Sequence, residues 1–439
     1  MKNQRIYIGL SDRSMSFSAG LNILEPQVIN RERIQDLLNS FSSIGASENG
    51  SVSRRGFSDE DIYARNFFMK TLKELGLKIR IDTAGNIIAR LDGHDNNLPP
   101  IVTGSHLDTV PKGGKYDGTL GVIAGIEIAF FLQENDIKLN RPFEIIVFAD
   151  EESTMIGCKG FTGNLSVKEE DFVTSNSCSI IDNLSRIGGN WLEIKSAARS
   201  KKDIFAFLEL HVEQGKVLED GGLDIGIVNG IVGQKRITVR VKGQANHAGT
   251  TPMSNRNDAL LAASKIIVGI EQIAKTTSES AVATVGKLKL HPNAANVIPG
   301  EAIFTIDMRD LDEDVIGKMS LRIENLCSEI QEGTGCVVQI EPQFEVIPTK
   351  SCPKLVSSSF HESEKLGFKT GILPSKASHD SQEIGRICPM VMIFVPSRNG
   401  LSHSYKEYTS LDQCANGIEV LLNTIFSIDK NFLYKPLMI

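Results

Sequence analysis

The 439-residue chain carries 47 lysines and arginines against 54 aspartates and glutamates, for a formal charge of −7, with 41% hydrophobic and 23% charged residues. That acidic balance argues against a nucleic-acid ligand and for a small-molecule one, the lack of an apolar run of about 18 residues argues against a membrane span, and the composition is that of a soluble globular protein. The length exceeds one ordinary core, so two domains are expected, each able to bury enough apolar surface to fold. The seven scattered cysteines, never spaced as CxxC, read as reduced thiols of a cytoplasmic protein and not as a disulfide frame or zinc knuckle.

Residues 1–27 lack an apolar signal-peptide core and are slightly basic and Ser-rich. They read as a loose N-terminal extension, with a transit peptide as the alternative. Next come two amphipathic helices, "INRERIQDLLNSF" and "DEDIYARNFFMKTLKELG", the second stopped by Gly76. Strands and helices then alternate: "LKIRID", "NIIARL", "PIVTGSH", a helix over 118–134, "FEIIVFADEE" and "IFAFLELHVEQG". This rhythm predicts an α/β domain over 28–229, built on a mainly parallel mixed sheet flanked by helices. Residues 230–345 change pattern to strand "QKRITVRVKGQ", a helix over 257–277, strands "AVATVGKLKL" and "EAIFTIDMRD", a helix over 312–335 and strand "CVVQIEPQ". The order βαββαβ predicts an inserted ferredoxin-like domain. From 346 to 439 the first domain resumes, with helix "KLVSSSFHESEKLG", a polar loop through "SKASHDSQ", strand "MVMIFVP", the loop "SRNGLSHS" and a closing helix from Leu411.

The last three strands before residue 230 end in His, Asp or Glu, and in open α/β sheets ligands gather at the carboxyl ends of strands. The stretch "TGSHLDTVPKGGKYDG" adds His106, Asp108 and Asp117 in a Gly-rich loop, and His403 lies in a later one. Taken singly, the loop also fits a plain turn and His211 a core histidine. Together with Asp150, Glu151 and Glu152 they point to a dinuclear metal centre. Adjacent carboxylates are costly to bury without a cation, an aspartate can bridge two ions, and N/O donors suit Zn²⁺, Mn²⁺ or Co²⁺.

The motifs "GSHLDTVPKGGKYDG", "FADEES", "ELHVEQG", "ANHAGTTPM", "NVIPGEAIFTIDMRD" and "FVPSRNGLSHS" resemble, in order, those of the M20 metallopeptidase-like superfamily. Within it the likeness is to the N-carbamoyl-L-amino-acid hydrolase, allantoate amidohydrolase and β-ureidopropionase group, from Val28 to about Lys430. The resemblance implies two divalent metal ions held by His106, Asp117 as bridge, Glu152, His211 and His403, with Asp108 orienting the His106 imidazole. It implies Glu151 as general base, turned away from Glu152 by strand alternation, and His247 as the oxyanion donor. Asn296 and Arg309 would bind the substrate carboxylate, Gln214 would make a further substrate contact, and the inserted domain would act as lid and dimer interface. By itself Arg309 would read as a surface ion pair. The implied reaction is cleavage of the ureido C–N bond of an N-carbamoyl-L-amino acid, giving the amino acid, CO₂ and ammonia. Allantoate hydrolysis and a peptidase or aminoacylase activity are the alternatives. The chain departs from the group at "STMIGC" after Glu152 and at "SHDSQ" over 378–382, both beside the presumed pocket. His379 either contacts substrate or caps a loop.

Overall fold

The computed structural model describes residues 29–432 except 167, 175 and 177, so the extension over 1–27 lies outside the described residues. In chain order, strands β1 (Lys78–Ile81), β2 (Ile87–Leu91), β3 (Ile101–His106), β4 (Phe143–Phe148), β5 (Ala206–Val212) and β6 (Ile225–Ile231) come first. They are followed by β7 (Gly233–Lys242), β8 (Asn246–His247), β9 (Val282–His291), β10 (Val297–Ile298), β11 (Glu301–Asp310) and β12 (Val337–Val346), and finally β13 (Thr349–Lys350), β14 (Thr370–Ser375) and β15 (Met390–Val395).

The first six and last three form one mixed sheet in the order β1-β2-β4-β3-β5-β15-β6-β13, with β14 also paired to β6. Its centre, β4-β3-β5-β15, is parallel, and antiparallel strands finish both sides. The four central strands are buried along their whole length, as expected when helices cover both faces. The helix Thr119–Glu134 is apolar nearly all round and packs on β3, β5 and the amphipathic C-terminal helix Leu411–Asn431. The mixed α/β class read from the sequence is therefore the one observed.

The other sheet, β12-β7-β11-β9, is antiparallel throughout. Its strands alternate in burial, so one face meets the helices Ala259–Thr277 and Glu313–Thr334 over a separate core containing Val239, Phe304, Ile306, Ile266 and Met319. Asp258 and Asp312 cap those helices by accepting from first-turn N–H groups. A two-stranded ribbon of β8 and β10 stands off this sheet.

Three local features differ from the sequence expectation. Strand β4 stops at Phe148, so the acidic triple is a turn and not a strand end. Asp150 sits at φ +54 and its Oδ2 accepts from Thr154 Oγ1 at 2.6 Å and from Thr154 N at 3.2 Å, a local arrangement that competes with the ladder. Strand alternation is thus not what separates Glu151 from Glu152. Strands β6 and β14 were not expected, because Gly226, Asn229 and Gly230 dilute one apolar run and Pro374 interrupts the other at a register shift. The polar loop through 375–382 also contains the start of a short helix, Asp380–Ile384, with His379 at its N-cap. Cys178 is exposed and the other six cysteines are buried.

Candidate metal centre

The parallel strands deliver the chemistry to one edge of the sheet. His106 is the last residue of β3, His211 the penultimate residue of β5, Glu151 and Glu152 follow β4, and His403 follows β15. Asp117 arrives from the loop that enters the helix at Thr119. Gly118 beside it has φ +64, and a Cβ there would collide with the His106 ring, so only glycine allows the loop to close on the imidazole. Non-glycine residues in the left-handed region crowd the same edge: Asp150, Met155, Gln214 and His403. Such strained backbone is characteristic of functional sites.

Asp117 lies at the centre of the group. Its Oδ1 is 3.2 Å from His211 Nε2 and 3.8 Å from His106 Nε2, while its Oδ2 is 3.3 Å from His403 Nε2. Glu152 Oε2 is 3.6 Å from His403 Nε2, and Glu151 Oε2 is 3.6 Å from His106 Nε2. Nδ1 of His106 is 2.9 Å from the Asp108 carbonyl, and Nδ1 of His211 is 2.9 Å from the Val212 carbonyl. A carbonyl can only accept, so Nδ1 carries a proton in both rings and Nε2 faces Asp117: when protonated it donates toward the carboxylate, and when the ring is neutral its lone pair is the one offered to a cation. The Asp108 carboxylate is 3.8 Å from His106 and instead accepts from the N–H groups of Glu151 and Glu152, at 3.2 and 3.0 Å. Asp108 therefore orients the imidazole through its main chain and uses its side chain to hold the acidic turn.

The electrostatics call for cations. Burial pushes Glu151 well above the usual carboxylate range, with Asp380, Glu152 and Asp108 adding to the rise, and burial with the neighbouring Asp117 pushes Glu152 up to about 7. Burial opposes charge on His106, yet the carboxylates of Glu151, Asp108, Glu152 and Asp117 raise it well above its ordinary value. Asp117 is held well below its usual range: burial works against the charge, and hydrogen bonding to His211 and His403 overcomes it.

Donor atoms of His106, Asp117 and His211 converge in one group, and those of Asp117, Glu152 and His403 in another that shares the aspartate. Gln214 donates from Nε2 to Asp117 Oδ2 at 2.9 Å, and its Oε1 is buried without a hydrogen-bond partner among the described residues. A mixed N/O donor set around one shared carboxylate, with an orphaned polar oxygen beside it, fits a pair of divalent ions.

A cavity of about 590 Å³ opens over this group. Its walls include Glu151, Gln214, Arg309, His379 and His403, together with Met155 and Ser378 from the two stretches expected beside the pocket, and Ser402, which was not singled out. Arg309 is the only lysine or arginine among the lining residues, against three carboxylates. Its guanidinium is steadied by Asp307 through Nε at 2.9 Å and by the Lys376 carbonyl through Nη1 at 2.9 Å. His379 is buried, with Nε2 2.9 Å from Ser375 Oγ and its ring edge-on to His211 at 4.5 Å. Burial and the neighbouring His211 keep it well below the ordinary imidazole range, hence neutral. His247 and Asn296 do not line the cavity; both are exposed, His247 in β8 and Asn296 just before β10. Sequence reading also passed over Glu407, whose signal was a lone acid four residues after His403.

Residues 102–427 match the family model of Peptidase family M20/M25/M40, and the chain belongs to that family, whose enzymes are metallo-hydrolases. It is 35% identical to the N-carbamoyl-L-amino-acid amidohydrolase of Paenarthrobacter aurescens over 405 residues, which cover 91% of this chain and 98% of that one. Identity to the allantoate amidohydrolase of Bacillus subtilis (strain 168) is 36% over 408 residues, with 91% and 98% covered. Identity to the ureidoglycolate hydrolase of Arabidopsis thaliana is 35% over 425 residues, with 92% and 88% covered. A crystal structure of an amidase of the hydantoinase/carbamoylase family from Burkholderia multivorans is similar to the fold with a TM-score of 0.85 at 31% identity, over 91% of this chain and 98% of that one.

Proposed function

We propose that the protein hydrolyses the ureido C–N bond of N-carbamoyl-L-amino acids: one water and one substrate yield the free amino acid, CO₂ and ammonia. The observation that carries this reading is the placing of Glu151 beside a shared aspartate flanked by three histidines, with one guanidinium on the cavity wall. His106, Asp117 and His211 would hold one divalent ion, and Asp117, Glu152 and His403 the other. When bound, such a pair supplies Lewis acidity and lowers the pKa of water.

The remaining work falls to side chains. A ureido carbon is a poor electrophile because two nitrogens donate into its carbonyl, so proton transfer must be well timed. Burial makes the Glu151 carboxylate more basic, and in the ionised form that bound cations would favour it takes a proton from the attacking water and returns it to the leaving nitrogen. Arg309 binds the substrate carboxylate, which a guanidinium can grip through two N–H groups. His247 Nδ1 accepts from the N–H groups of Gly249 and Thr250 at 3.1 and 3.2 Å, which puts its proton on Nε2 as an exposed donor suited to a developing oxyanion. Because His247 and Asn296 stand away from their own cavity, both would serve the site of a partner subunit in a homodimer formed through the domain over 230–345. His379, neutral and on the wall, contacts the substrate. Among the described residues no helix is long and apolar enough to cross a membrane. Scattered, mostly buried cysteines without CxxC spacing support a cytoplasmic setting.

Allantoate is the second reading, favoured by the equally strong likeness to an allantoate amidohydrolase. Ammonia release should be measured for protein reconstituted with Zn²⁺, Mn²⁺ or Co²⁺ on N-carbamoyl-L-amino acids, N-carbamoyl-β-alanine, allantoate, ureidoglycolate and dipeptides. The highest kcat/KM is expected on an N-carbamoyl-L-amino acid. Preference for allantoate selects the second reading, and cleavage of dipeptides alone overturns both.

A further inference from the structure

We infer that Glu407 is a positioning residue that sets the His403 side of the centre, so that the two metal half-sites depend on it unequally. This rests on the dinuclear reading above. Glu407 is 4% exposed, on the loop that carries His403. Its Oε1 accepts from the main-chain N–H groups of Tyr116 and Asp117, at 2.8 and 3.0 Å, across 291 and 290 residues of sequence. Its Oε2 is 3.2 Å from Ser402 Oγ, which is itself 3.2 Å from Asp117 Oδ2. One carboxylate thus ties the backbone of the shared ligand to the loop bearing His403.

Gly114 supports the same conclusion independently. A Cβ there would collide with the Glu407 carboxyl, so the Gly-rich loop is shaped to admit this side chain. The other half of the centre has no such need. His106 and His211 sit on fully buried strands with each Nδ1 bonded to a carbonyl, whereas His403 is 51% exposed at φ +52. Loss of the clamp should therefore loosen Asp117 and His403, two of the three ligands on that side, but only the shared Asp117 on the side of His106 and His211.

The test is calorimetric titration of Zn²⁺ into the chelator-stripped full-length protein, with circular dichroism and thermal melts as fold controls. Wild type should take up two equivalents. In Glu407→Ala the loop-side equivalent should weaken at least 10-fold more than the strand-side one, which is touched only through Asp117, and Gly114→Ala should reproduce this inequality by displacing the carboxylate. Glu407→Gln keeps an acceptor for both N–H groups and should recover most of the loss. If Glu407→Ala does not fold, the other two variants decide. Two wild-type affinities in folded Gly114→Ala or Glu407→Ala, or equal weakening of both equivalents, overturn the assignment. A wild-type protein that binds fewer than two ions overturns the dinuclear reading and this inference together.

Discussion

The two sides of the candidate centre are built from different material. His106 and His211 stand on strands buried along their whole length, with ring tautomers set by main-chain carbonyls. Glu152 and His403 come from a turn and a loop, the turn held by the Asp108 carboxylate and the loop by Glu407. Strands position a ligand through the ladder and the packing of the sheet, at no extra cost in side chains. Loops need dedicated buried polar groups for the same accuracy, and a site on loops is the less precise unless such a shell supports it. The benefit is access: the loop side borders the open cavity, where substrate must enter.

The largest expected effect comes from breaking both sides at once. Asp117→Ala removes the shared carboxylate and should abolish turnover and paired metal binding, read by elemental analysis alongside activity. Full activity in a chelated, metal-free sample would contradict any metal role.

Next is the acidic pair itself. Glu151→Gln keeps size but cannot take the proton of water, so kcat should fall at least ~10²-fold with metal content and KM retained. Glu152→Gln should lower metal occupancy on the loop side, with part of the rate recovered by added metal. Metal loss in Glu151→Gln with retention in Glu152→Gln would reverse the two roles.

A comparable loss, on the order of 10²-fold, is expected for His247→Ala if its Nε2–H serves an oxyanion. Mixing this variant with Glu151→Ala should restore part of the activity through hybrid dimers. Demonstrated subunit exchange without any recovery rules out service in trans. The smallest effect is expected from Ser402→Ala, which removes one hydroxyl between Asp117 and Glu407. A hydrogen bond of this kind contributes about 1 kcal/mol, so the loop-side metal affinity should drop by several-fold and the strand-side affinity should stay unchanged.

The sequence by itself determined the α/β class, the long helices and the central strands, because periodicity reports burial directly: unbroken apolar runs became the central strands, and three- to four-residue spacing became the helices. It also carried the family, through motifs long enough to be specific. It placed His106 and His211 at strand ends because each closes a largely apolar run of strand length. The tertiary structure alone decided the rest, wherever the deciding contact is distant in sequence or competes with local propensity. Asp150 turned the expected strand end into a turn through its bond to Thr154. Glu407 met the Asp117 backbone across 290 residues, a contact no spacing rule encodes. The exposure of His247 and Asn296 away from their own cavity depends on how β8 pairs with β10, a register set by three-dimensional packing and invisible in either short segment.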